Sequence, residues 1–162
     1  MTTKSLPIKP AVKTVTVECT PEEAFYYFTS DFGIWWPVAT HSVVAYASQF
    51  KDKPAGAILE PRVGGRIFER TRAGDEHIWG RVLEWDPPKR LVFSFHPGRE
   101  EKEAQTVEVT FSPSPQGARI VLTHDGWEKL SGNAQQARDS YEQGWSAVLV
   151  TAYGGYVRDK RQ

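Results

Sequence analysis

The chain has 162 residues, balances 20 Lys and Arg against 20 Asp and Glu, and is 40% hydrophobic and 25% charged. A chain of this size can bury roughly 70 per cent of its unfolded surface in one core, so it suits a single domain, and the composition excludes a disordered or fibrous role. The charge balance excludes an overall field for nucleic acid or an anionic membrane, and the lone cysteine, Cys19, excludes an internal disulfide.

Residues 1–10 are polar with two prolines and read as a flexible leader, residues 11–158 as the domain, and residues 159–162 as a tail. From Val12 to Cys19 the apolar Val15, Val17 and Cys19 alternate with polar residues, the period of a half-buried strand with Cys19 facing inward. Thr20-Pro21-Glu22-Glu23 is a helix start with a capping box, opening a short helix that carries Phe25 and Phe28 and ends near Thr29. Asp31 is placed to cap a second short turn through Ile34, Trp35 and Trp36, which Pro37 stops. The stretch from Thr40 to Lys53 is ambiguous: Val43, Val44 and Tyr46 suit a strand or a loop, and Ala47 to Lys53 reads as irregular.

Between Ala57 and His124 the pattern predicts six strands: Ala57–Glu60, Arg66–Arg72, Ile78–Trp85, Leu91–His96, Thr106–Phe111 and Arg119–His124. Turn residues such as Gly64-Gly65, Asp86-Pro87-Pro88 and Pro97-Gly98 separate them, giving an antiparallel meander. Leu91, Phe93 and Phe95 share one face, as do Val107, Val109 and Phe111, and Ile120, Leu122 and His124. After Trp127 the period changes, because Ala137, Tyr141, Trp145, Val148, Ala152 and Tyr156 recur at three- and four-residue steps. With Asn133 and Gln136 as a capping pair, this predicts a helix over Ala134–Val157, about 36 Å long at about 1.5 Å per residue, which Gly154 and Gly155 fray early.

The expected architecture is α+β: a curved antiparallel sheet of six to seven strands around a long C-terminal helix, with two short helices after the first strand. Several local patterns occur in an order that resembles the START-like (helix-grip, SRPBCC) superfamily, and within it the activator-of-heat-shock-protein-ATPase-homologue group. They are the Thr20–Phe25 helix start, Trp35-Trp36-Pro37, Val63-Gly64-Gly65-Arg66, Gly80-Arg81-Val82-Leu83-Glu84, Pro87-Pro88-Lys89-Arg90-Leu91, Leu122–Trp127 and Gly144-Trp145. The resemblance runs from about Val12 to Val157 and implies a cavity between helix and sheet. It implies little about the ligand, since the group includes ligand carriers, co-chaperone-like proteins and some cyclases.

The 20 aromatic residues supply bulky surface that must fill a core or line a site. Trp35, Trp36, Phe68, Trp79, Phe93, Phe95, Trp127, Tyr141 and Trp145 are the candidate ligand wall, with plain packing as the bland reading of each. His124, on the inward register, needs a partner or a ligand: it is either a satisfied core histidine or, with Tyr141 as a donor, an acid-base group. His96 has a weaker claim, and His41 and His77 read as solvated loop residues. Arg70 and Arg81 suit either a pocket rim or the surface, and alternation puts Phe68 and Arg70 on one face, with Ile67, Glu69 and Thr71 on the other.

The histidines lack metal-ligand spacing, the glycine pairs lack a nucleotide fingerprint, and no nucleophile elbow occurs, so no metal, cofactor or hydrolase chemistry is expected. The function expected first is binding of a small hydrophobic or aromatic molecule. A chaperone-associated interaction module and a cyclase or dehydratase acting on an apolar substrate are the alternatives. No segment suits a membrane span, the setting expected is the cytoplasm, and an exposed sheet edge or the Trp35-Trp36 region would be the route to a homodimer.

Overall fold

The computed structural model describes residues 7–46 and 51–161. Seven antiparallel strands form one sheet in the order β1-β7-β6-β5-β4-β3-β2. They are β1 at Ala11–Val17, β2 at Pro54–Leu59, β3 at Arg66–Thr71, β4 at Glu76–Asp86, β5 at Arg90–Phe95, β6 at Gln105–Ser114 and β7 at Gly117–Asp125. The six expected strands are the meander β2 to β7, and β1 returns to pair with β7, Val15 opposite Ile120 and Val17 opposite Ala118. The concave face carries Leu91, Phe93, Val107, Val109, Ile120 and Leu122, each at most 2% exposed. A curved sheet closed over a C-terminal helix in this way is the helix-grip arrangement.

The sheet bends where β4 passes β3 and β5. Pairing jumps from Ile67 opposite Gly80 to Phe68 opposite Ile78, so Trp79 is an extra residue, and such a bulge bends the strand and re-aims a side chain. Gly80 makes the bend sterically feasible, because a Cβ there would lie 1.7 Å from the Ser94 carbonyl oxygen of β5.

Helix α1 spans Pro21–Thr29, and its capping box forms as expected: Glu23 N–H donates to Thr20 Oγ1 and Thr20 N–H to the Glu23 carboxylate, both at 3.1 Å. Phe25 and Phe28 pack edge-on against Phe111, with ring centroids 5.1 and 5.8 Å apart. Helix α2, Phe32–Trp35, follows, but Asp31 does not cap it through its side chain. The Asp31 carboxylate instead accepts the Tyr156 hydroxyl at 2.7 Å, tying α2 to the far end of the chain. The ambiguous stretch resolves as a one-turn helix, α3, at Val43–Tyr46, a third short helix; part of the irregular stretch expected over Ala47–Lys53 lies outside the described residues.

The C-terminal helix differs from the single uniform helix expected. Helix α4, Ala134–Trp145, is capped by Asn133 as predicted, then Ser146–Tyr153 takes π geometry, and α5, Gly154–Lys160, completes it. Gly154 and Gly155 do not fray the helix: the Gly154 N–H bonds back five residues to Leu149 O, and Gly154 is buried against Val15 of β1. Because a π turn holds more residues than an α turn, the inward face slips one position. Leu149, Tyr153 and Val157 are fully buried where the 3.6-residue period pointed to Ala152 and Tyr156, which are only half-buried. Among the described residues no helix is long and apolar enough to cross a membrane.

Gly80→Ala is expected to lower stability by about 3 kcal/mol or more, because the clash is with backbone that cannot rotate away. Urea unfolding followed by fluorescence measures it, and a loss under about 1 kcal/mol would show that the bend tolerates a Cβ.

Candidate functional site

The sheet and helix do not close completely. Between α3, α4 and the loop after β5 lies a cavity of about 510 Å³. Trp36, Trp79, Phe95 and Trp145 form its deep wall, with Val148 beside them. Trp36 sits 5.1 Å from Trp79 and 5.9 Å from Trp145 between ring centroids, and Phe95 sits 5.6 Å from Trp145. Helix α4 contributes Ala137, Ser140, Tyr141 and Gly144; the α3 side contributes His41, Ser42, Val43 and Tyr46; Pro97 and Gly98 complete the rim. No Asp, Glu, Lys or Arg is among these described lining residues.

Five of the expected ligand residues therefore meet at one cavity: Trp36, Trp79, Phe95, Tyr141 and Trp145. The others lie elsewhere. Trp35 is in the core with Phe28, Phe32 and Tyr153, and its Nε1 donates to Phe28 O at 3.1 Å. Phe93 packs on the concave face beside Phe95 without reaching the cavity. Phe68 is on the opposite, convex face, buried beneath the guanidinium groups of Arg66 and Arg70 at 4.4 and 5.7 Å from its ring centre. Arg70 and Arg81 are accordingly surface residues: Arg70 pairs with Glu76 at 2.8 Å, and Arg81 donates to Gly64 O at 3.3 Å. Trp35 and Trp36 are too buried to offer a dimer patch. His41 is not simply solvated, since it lines the cavity and its Nδ1 lies 2.9 Å from Thr40 Oγ1.

His124 lies behind the cavity wall, fully buried, with its ring 4.2 Å from Trp127 and 4.8 Å from Tyr141. Trp145 Nε1 donates to its Nδ1 at 3.0 Å, and its Nε2 faces Gln105 Oε1 at 3.2 Å. An indole N–H can only donate, so Nδ1 carries the lone pair and Nε2 the proton. Burial pushes this imidazole down to about 3, which keeps it neutral. Both nitrogens are occupied, and the ring's contribution is to fix the indole that walls the cavity.

A residue that alternation hid is Glu69. It is fully buried on the concave side of β3, and its carboxyl accepts from Trp79 Nε1 at 2.7 Å, Val43 N–H at 2.5 Å and Val44 N–H at 3.3 Å. It therefore anchors both the deep indole and the α3 wall. A signal was present in its register with Ile67 and Thr71, but a glutamate in a strand reads first as a surface residue.

Tyr141 is the polar group best placed in the cavity. No described residue hydrogen-bonds its hydroxyl, and burial pushes it up to about 12, with a smaller opposing influence from Arg99 and a reinforcing one from Tyr46. The phenol is thus a neutral donor at any ordinary pH. Burial holds His41 below its usual range, so the described lining carries no net charge at neutral pH. Among the described residues no cluster of three or more His, Cys, Asp or Glu forms a metal site.

The family model described as Activator of Hsp90 ATPase homolog 1-like protein matches residues 18–152. Protein CV1439 from Chromobacterium violaceum is similar in fold, at 17% identity and a TM-score of 0.64, over 92% of this chain and 97% of that one. MLL2253 from Mesorhizobium loti is similar at 17% identity and a TM-score of 0.61, over 95% and 99%. An anthrahydroquino-gamma-pyrone synthase, Txn09, solved as a complex, is 32% identical with a TM-score of 0.59, over 93% and 97%. Comparison with curated proteins gives no match.

Two substitutions test the supports of this site. Glu69→Ala leaves three buried donors without an acceptor and should lower stability by about 3 kcal/mol or more in urea unfolding. For His124, the unfolded chain takes up its proton near pH 6.5 and the folded one near 3, so the stability this group contributes is complete above pH 6.5 and lost as pH falls. The loss attributable to it approaches about 1.4 kcal/mol per pH unit between those values. His124→Asn should be less stable at pH 7 yet lose less on acidification to pH 4; parallel curves for the two proteins would reject the assignment.

Proposed function

The chain belongs to the Activator of Hsp90 ATPase homolog 1-like family, and from that premise we propose that it binds a small aromatic or otherwise hydrophobic molecule in the cavity between sheet and helix. One observation carries the reading: an opening of about 510 Å³ is kept between α3 and α4 although its walls are indole and phenyl rings. Apolar surface of this kind gains free energy by leaving water, so a volume left open to solvent is stabilised by an apolar occupant. The size falls in the usual range of small-molecule pockets, roughly 300 to 1,000 Å³, and so does the chemistry, mostly apolar with a few polar groups. We place this activity in the cytoplasm, a reducing compartment in which the free, buried thiol of Cys19 is at home.

A second reading has specific support in the name of the 32% identical relative, a synthase of a fused-ring pyrone. In that reading the cavity orients a ring-forming or dehydrating substrate. The chemistry would fall to Tyr141, since both nitrogens of His124 are engaged by Gln105 and Trp145. A chaperone partner is carried by the family name alone.

Thermal unfolding against a panel of apolar and aromatic compounds is the direct test. An occupant at about 100 times its dissociation constant adds roughly 2.7 kcal/mol, a midpoint rise of about 5 to 10 °C for a domain of this size. Gly144→Leu supplies the control. A Cβ at Gly144 meets no atom within 4 Å, so the larger side chain enters the cavity, and a helix-favouring residue there should leave the free protein as stable or up to about 1 kcal/mol more so. The variant should lose most of the ligand-induced rise. No rise with any compound in the native protein would turn the assignment to a protein partner.

A further inference from the structure

The lining does more than accept apolar surface, and its residues narrow the ligand class. Resting on the cavity reading above, we infer that the occupant is a neutral, flat, fused-ring carbonyl compound whose carbonyl oxygen accepts a hydrogen bond from the Tyr141 hydroxyl.

The walls set the body of the ligand. Trp36, Trp79 and Trp145 present electron-rich indole rings, and Phe95 lies beside them. Indole faces stack best on electron-poor rings, since the aromatic quadrupole makes the face of an electron-rich ring negative. A carbonyl conjugated to a fused ring withdraws electrons from it, so the same substituent improves stacking and offers an acceptor. Along α4, Ala137 and Gly144 leave room beside the larger Tyr141 and Trp145, and the space beside Gly144 is empty to 4 Å from a Cβ position. A plate-shaped molecule has room beside Gly144 against these indole rings.

The polar groups set its charge and polarity. The described lining contains no ionic side chain, so a charged ligand would be desolvated without a partner, which costs several kcal/mol or forces the charge to be neutralised. Ser42 Oγ is held against α3 by accepting from Ala45 N–H at 3.2 Å, His41 contacts Thr40, and the hydroxyls of Tyr46 and Ser140 belong to exposed residues, where water competes for them. Tyr141 remains, with a hydroxyl that no described residue engages and that stays protonated. Its ring packs against Phe95, His124 and Trp127, 6.0, 4.8 and 5.8 Å away between ring centroids, so the hydroxyl is presented from a fixed position.

The test titrates the native protein and Tyr141→Phe with three tricyclic probes of one shape, fluorene, 9-fluorenone and 9-fluorenone-2-carboxylate, following tryptophan fluorescence at pH 7. Loss of one buried hydrogen bond predicts that Tyr141→Phe weakens 9-fluorenone about 5- to 10-fold while fluorene changes by less than about twofold. In the native protein the carboxylate should bind at least about tenfold more weakly than 9-fluorenone. Equal weakening of fluorene and 9-fluorenone, no effect of the substitution on 9-fluorenone, or tighter binding of the carboxylate would each overturn the proposal while leaving an apolar cavity. Failure of all three probes to bind the native protein would overturn it together with the reading beneath it.

Discussion

The cavity depends on one buried carboxyl group. Taking a carboxyl group out of water costs several kcal/mol unless its oxygens find donors, and Glu69 finds three, from the Trp79 indole and the first two N–H groups of α3. A single helical turn is not stable alone, since nucleation fixes many dihedral angles for few hydrogen bonds. Helix α3 persists because Glu69 and Ser42 satisfy N–H groups that a helix start leaves unpaired. The same carboxyl holds the indole that the β4 bulge turns inward. Floor and side wall are thus set by one residue of β3, and the open volume between them follows.

The opposite wall is fixed by a different chain of hydrogen bonds with the same logic. Gln105 on β6, His124 on β7 and Trp145 on the helix form a line in which each polar atom has a defined role. Gln105 in turn donates through Nε2 to the Glu103 carbonyl. Networks of this kind stabilise only when complete, because an unpaired polar atom in an apolar interior loses its hydration without compensation. Helix and sheet are therefore locked in register at the point where the cavity begins, and the aromatic wall is kept from repacking into the opening.

Much of the fold was legible in the sequence because it rests on period and on turn chemistry. Alternation in Leu91–Phe95, Val107–Phe111 and Ile120–His124 marks a face, and the glycine and proline pairs mark the turns of a meander. Thr20 with Glu23 and Asn133 with Gln136 carry caps whose chemistry is local. The site was legible only in part. Trp36, Trp79, Phe95, Tyr141 and Trp145 were anticipated as aromatic surface, but nothing local distinguishes them from Trp35, which fills core, or Trp127, which covers His124. Phe68 misled because burial beneath arginines on the convex face has the same sequence signature as burial beneath a helix. Glu69, α3 and the one-residue slip along the C-terminal helix depend on long-range partners, which periodicity within a segment does not encode.

That slip explains how one helix serves two purposes. From the π stretch onward, Leu149, Tyr153 and Val157 are large and fully buried, and they fill the space above β1 and α1. Before it, α4 sets Ala137, Ser140 and Gly144 beside Tyr141 and Trp145, and these three are too small to reach across the sheet's concavity. A glycine inside a helix costs about 1 kcal/mol relative to alanine, and one is usually retained where a neighbour approaches closely. At Gly144 no neighbour approaches within 4 Å of a Cβ position, so the protein forgoes helix stability to keep a void rather than to pack a contact. Local rules broken without a structural return tend to mark functional positions. The cavity is accordingly a property of the residues missing from α4 as much as of the aromatic residues that face it, and a chain with the same fold but bulky residues at 137, 140 and 144 would keep the grip and lose the site.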